Sequence, residues 1–189
     1  MKIRLSAFGL LLACWLLLPG CESEETRQVR TVVTGAEPSA DSFSLSATLC
    51  RKVSSKSGRR IGVGDRFTMA RKSYVRAFVD FADVKADRPY TVHLVWIRPD
   101  GREMFRKYAE VRQAATGEVG FRTVVNWLDA EDLHKVRSDT LRSERPDFTL
   151  DSRFNTSLAK ERLPGRYLFR VYLDRALLLE EPFELEGPA

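Results

Sequence analysis

The stretch that most constrains this chain is residues 90–111: an extended run, YTVHLVWIR, the triplet Pro99-Asp100-Gly101, and a return run, REMFRKYAEV. Proline presets the turn's backbone angle and glycine tolerates positive φ, so two extended runs around PDG predict a β-hairpin. Val92, Leu94 and Trp96 alternate with Thr91, His93 and Val95, which turns Trp96 toward a core. A Trp on such a strand can serve as a ligand platform, but burial is its expected use.

The same period of two recurs along the chain. Residues 42–52 place Phe43, Leu45, Ala47 and Leu49 opposite Ser44, Ser46, Thr48 and Cys50, a strand with one apolar face. Residues 61–68, IGVGDRFT, lack the glycine pattern and following helix of a phosphate-cradling loop and read as a kink leading into a strand. In residues 74–81, Val75, Ala77, Val79 and Phe81 oppose Tyr74, Arg76, Phe78 and Asp80, a mixed face of the kind a sandwich turns outward. Residues 121–127 put Phe121, Thr123, Val125 and Trp127 on one side, and 153–159 suggests a further short strand. Within 129–145, Leu133, Val136 and Leu141 fall near helical spacing behind Asp129 as an N-cap, which predicts a short surface helix ended by Pro146. After the turn Leu163-Pro164-Gly165, Tyr167, Phe169 and Val171 alternate with Leu168, Arg170 and Tyr172; Asp174-Arg175 then turns the chain into a last strand, a second hairpin. Pro182 has no amide donor, so that last strand is an edge or carries a bulge there. The expected fold is all-β: an antiparallel sandwich of about seven or eight strands with at most one short surface helix.

Gly165-Arg166-Tyr167-Leu168-Phe169 resembles the turn and strand that carry the tyrosine corner of immunoglobulin-like domains, with Phe169 in the place of their second core cysteine. With Trp96 on an earlier strand and the PDG hairpin after it, residues 67–185 resemble the disulfide-free immunoglobulin-like modules of bacterial envelope proteins. That resemblance implies an immunoglobulin-like β-sandwich. Arg175 stands where such modules carry a glycine, which leaves the type of the final turn open. The resemblance speaks to fold, because such modules carry many unrelated roles.

At the other end of the chain, Lys2 and Arg4 precede an apolar run over residues 7–18, the pattern of an export signal. A helix of about 12 residues spans about 18 Å, short of the roughly 30 Å of a bilayer's hydrocarbon. Leu18-Pro19-Gly20-Cys21 follows and resembles the bacterial lipoprotein signal, in which the cysteine is lipidated and becomes the first residue; Pro19 is a less usual choice at its position. The resemblance implies a signal peptide over 1–20, a lipid anchor on Cys21 and a place in the bacterial cell envelope. Glu22, standing where enterobacterial lipoproteins retained in the inner membrane carry Asp, points to the outer membrane, facing the periplasm. Several acyl chains at about 0.8 kcal/mol per buried CH₂ make a firm attachment.

Removing residues 1–20 from the 189 leaves 169, enough for one domain and a tether. Residues 21–41 are polar and lack aromatics, the composition of a flexible tether; 42–189 is the expected domain. Lys2 and Arg4 leave with the signal, so 29 basic against 26 acidic residues give +3. An exported chain of this charge is not expected to meet nucleic acid. Once Cys14 is discarded and Cys21 lipidated, Cys50 stands alone, expected as a buried apolar residue in a strand, with an intermolecular bridge as the other use.

Around residues 51–60, Arg51, Lys52, Lys56, Arg59 and Arg60 occur with no acid, either a solvated loop or an anion-binding surface. No GxSxG occurs, and His93 and His134 have no second His or Cys at ligand spacing, so neither a serine hydrolase nor a metal site nor any cofactor is expected. Asp80 with Asp83, and Glu180 with Glu181, read as solvated carboxylates at strand ends. The chain is therefore expected to be a non-catalytic lipoprotein that binds another envelope protein, or, alternatively, an anionic lipid or glycan through 51–60.

Overall fold

Alternating sequences become strands here because most of them bury one face against a second sheet, and the computed structural model holds twelve strands among its described residues. It describes residues 29–34, 41–84, 88–116, 120–157 and 162–188. The smaller sheet runs in the order β1 (Val29–Thr34), β2 (Asp41–Val53), β5 (Tyr74–Ala82) and β10 (Phe148–Asn155), with β3 (Arg60–Val63) pairing the far end of β2. The larger sheet runs β4 (Arg66–Thr68), β12 (Ala176–Glu186), β11 (Gly165–Leu173), β6 (Tyr90–Ile97), β7 (Glu103–Ala115), β8 (Phe121–Leu128) and β9 (Lys135–Ser143). Every pairing is antiparallel except that of β4 with β12.

The expected hairpin is present as β6 and β7. Gly101, at φ 80°, donates its amide to the Arg98 carbonyl at 2.9 Å, and Arg98 donates to Arg102 at 2.9 Å. This is a type I turn closed by a left-handed residue, the use that Pro-Asp-Gly suits. Trp96 is fully buried, with Phe169 at 4.8 Å, Phe154 at 5.5 Å and Phe183 at 5.7 Å between ring centroids. Its indole Nε1 donates to Ser152 Oγ at 2.9 Å, so one side chain joins β6 of the larger sheet to β10 of the smaller.

The second hairpin, β11 and β12, settles the final turn. Asp174 and Arg175 both adopt positive φ, 46° and 75°, the type I′ geometry that usually takes glycine. Asp174 fixes it: its amide donates to the Thr91 carbonyl and its carboxylate accepts the Thr91 amide, both at 2.9 Å, while Arg88 pairs with its other oxygen. Pro182 lies opposite Leu168, and β4 joins β12 only at Glu184 and beyond. Glu184 donates outward to the Asp65 carbonyl, so the amide that Pro182 lacks would face the open side; β12 itself is not the sheet's edge, because β4 covers it from Glu184 on.

Four expectations are corrected. The strands number twelve among the described residues, because short runs such as RIGV and RFT also pair. Residues 129–145 form no helix: Asp129 Oδ1 accepts the Glu131 amide, Asp129 donates to the His134 carbonyl, and the chain then pairs with β8 as β9. Leu133, Val136 and Leu141 share no buried face and are 53%, 57% and 38% exposed; ladder bonds to β8 outweigh their helical spacing. Val29–Thr34, inside the segment expected as tether, is rich in β-branched residues and pairs with Asp41–Ser46 as β1. The strand expected at 153–159 lies earlier, as β10.

Truncating Trp96 opens a large void and strands Ser152, so Trp96→Ala should cost about 3–5 kcal/mol. Denaturant melts of the two proteins measure this, and a loss under about 1 kcal/mol would contradict the core role.

Candidate functional site

The basic residues of 51–60 separate once folded. Arg51 and Lys52 end β2, Lys56 and Arg59 sit exposed in the turn 54–59, and Arg60 opens β3. The turn closes through Ser54 and Arg59 by a backbone bond of 2.9 Å, with Gly58 at φ 67°. Arg60 is already paired on the outer face of the sheet. Its guanidinium donates to both oxygens of Asp80 at 2.7 and 2.9 Å and to Thr48 Oγ1 at 3.0 Å, and its Cζ stands 4.6 Å from the Phe78 ring centroid. Asp80 also accepts from Thr149 at 2.7 Å. The stem of Arg51 lies so close to Gly62 that a Cβ there would come within 3.2 Å of it.

The same outward face brings in two cations that the 51–60 run did not include. Arg76 lies directly opposite Arg153 on β10 and opposite Cys50 on β2, giving the row Val63, Cys50, Arg76, Arg153 across four strands. Directly opposed side chains on an antiparallel pair have Cβ atoms about 4.5–5.5 Å apart, where like charges repel. Among the described residues, no carboxylate lies within 4.0 Å of Lys52, Lys56, Arg59, Arg76 or Arg153. Tyr74 flanks the pair, its ring centroid 5.4 Å from Arg153 Cζ. The alternation that placed Tyr74, Arg76 and Phe78 on one face contained half of this site; the partner Arg153 lies 77 residues later and only the ladder supplies it.

Cys50 belongs to this row yet is fully buried, and burial pushes its thiol above the ordinary range against the pull of Arg60 and Arg76. It packs as the small apolar residue expected of it. The carboxylate pairs read from the sequence are not pairs. Asp80 serves Arg60, Glu180 pairs with Arg170 at 2.6 Å, and Glu181 points to the opposite face, beside Phe169 and Phe183 on the core side of its strand. There burial raises the Glu181 carboxyl to about 7, and its Oε1 has no hydrogen-bond partner among the described residues.

His93 lies on the outer face of the larger sheet against Tyr108, its Nδ1 facing an Arg106 nitrogen at 3.2 Å; burial and that guanidinium hold its pKa down. His134 meets Asp132 and Asp129 in the exposed turn before β9, with ligand atoms within 4.8 Å of one another. Spacing alone missed this cluster. Its carboxylates already accept the amides of Glu131 and His134, so its bonds close the turn, and the Asp132 bond raises the His134 pKa. The proposed lipidation residue Cys21 lies outside the described residues. No protein-family model matches the chain, and comparison with curated proteins gives no match.

Glu181 gives a pH dependence of definite sign. Its folded pKa of about 7 exceeds the ordinary 4.5, so ionisation favours the unfolded chain. Stability is undiminished below about 4.5, falls as pH rises toward 7, and then levels. Glu181→Gln should flatten that fall and raise stability at pH 8 by on the order of 1 kcal/mol, a figure reduced for the group's partial exposure. Melts at pH 5 and pH 8 measure it.

Proposed function

We propose that this chain is a lipid-anchored, non-catalytic binding module of a bacterial cell envelope, attached through Cys21, whose immunoglobulin-like sandwich presents a cationic face to an anionic lipid or glycan. The observation that carries the proposal is Arg76 opposed to Arg153 with no carboxylate partner among the described residues, beside the exposed Lys52, Lys56 and Arg59. Like charges set directly across a ladder cost stability. An external anion would relieve that cost, which gives the face a reason to bind one.

The immunoglobulin-like reading draws support from three features. The order β12, β11, β6, β7, β8 follows the G-F-C-C′-C″ order of a variable-type sheet. Tyr167 on β11 donates its hydroxyl to the Leu163 carbonyl at 2.8 Å, the tyrosine-corner bond. Phe169 packs on Trp96 where antibody domains place a disulfide.

A second reading, an envelope protein as partner, is favoured by β9. It is the last strand of its sheet, with Val136 and Leu141 exposed, and a partner strand could add to its free edge.

Replacing Cys21 by Ser should move the protein from the membrane fraction to the soluble periplasm; retention in the membrane fraction would refute the lipid anchor. Changing Lys52, Lys56 and Arg59 together to Gln should weaken binding to phosphatidylglycerol vesicles at least about tenfold under the first reading. Under the second, vesicle binding is absent at the outset and in-cell crosslinks to protein partners persist in the variant.

A further inference from the structure

Where β1 begins sets which end of the sandwich lies nearer the point at which the chain enters. Val29, its first residue, pairs with Ser46, and Thr34 pairs with Asp41, so the chain enters β1 from the side on which β2 continues to Cys50 and Lys52. At about 3.3 Å per residue, the Cys50 row lies about 13 Å along the ladder from Val29. Eight steps separate Cys21 from Val29 and span at most about 28 Å. The opposite end, where β1 stops at Thr34, stands about 17 Å farther from the point of entry.

The end nearer the anchor is also the cationic one. Lys52, Lys56, Arg59, Arg76 and Arg153 gather there, all without carboxylate partners among the described residues. Arg60 adds no free charge, because Asp80 neutralises it. The far end carries the Asp174-Arg175 turn with its Arg88 pair, and Asp147, whose carboxylate accepts the Asp83 amide.

Resting on the lipid-anchor reading, we infer that the sandwich docks this basic end onto the anionic phospholipid headgroups of the very membrane that holds its anchor. Each basic residue near an anionic surface raises occupancy about fivefold, within a Debye length. Acyl chains already secure attachment, so the basic end sets orientation. Arg76 and Arg153, opposed across one ladder position, form the fork that takes a headgroup phosphate, with Tyr74 beside them. Docked so, the β9 edge and the outer face of the larger sheet remain open to the periplasmic side.

The test is amide exchange on the full lipidated chain in vesicles of phosphatidylcholine alone or with one-quarter phosphatidylglycerol. Exchange should slow about threefold or more over residues 52–60 and around Arg76 and Arg153 in the anionic vesicles, and recover in about 0.5 M salt. Arg76→Glu with Arg153→Glu should abolish the slowing while protection in β6 and β11 is kept; the milder Arg76→Gln with Arg153→Gln should reduce it if the first pair impairs folding. Equal exchange in the two vesicles, or slowing at the Asp174-Arg175 turn instead, would overturn the docking. Equal slowing by about 10 mM glycerol phosphate without vesicles would also overturn it, by assigning the site to a soluble anion. Failure of the anchor reading shows separately, as protein that does not float with phosphatidylcholine vesicles.

Discussion

The contact on which the rest depends is Trp96, seated between the two sheets. Its ring supplies the largest fully buried side chain, and its one polar atom is satisfied by Ser152 from the opposite layer. A buried indole N–H without a partner would be costly, so that bond fixes the lateral position of β10 relative to β6. Phe169, Phe154 and Phe183 close around the ring, and Tyr167 packs against Phe154 and Phe183 behind it.

That alignment has an electrostatic consequence. With β10 held beside β5, Arg153 must stand across from Arg76, and with β2 on the other side of β5 the Lys52 end joins them. The sheet distributes its charges unevenly. Arg60 is folded into a bidentate pair with Asp80, whereas Lys52, Lys56, Arg59, Arg76 and Arg153 have no carboxylate partner among the described residues. The core and the cationic surface thus share one framework: the inward faces of β2, β5 and β10 make the core, and the outward faces of the same strands make the cationic surface.

How much of this was legible beforehand varied with the range of the interaction. The PDG hairpin, the inward face of residues 74–81, the burial of Trp96 and the unpaired side of β12 at Pro182 all follow from local chemistry: turn angles, side-chain alternation and a missing amide. The exposed strand β9 was misread because Leu133, Val136 and Leu141 mimic a helical period, while the ladder bonds that decide its state come from β8. Glu181 looked like a solvated twin of Glu180. Consecutive strand residues face opposite ways, and burial of the inner one depends on the sheet packed above it.

By itself the sequence determined an all-β chain, its two best hairpins and the core role of its central Trp, because backbone angles and two-residue alternation act between neighbours. Only the tertiary structure decided that Arg60 is spent on Asp80, that Arg76 meets Arg153, and that the chain enters β1 from the basic end. Those facts are pairings between strands far apart in the chain, set by sheet order and register, and no local pattern encodes them.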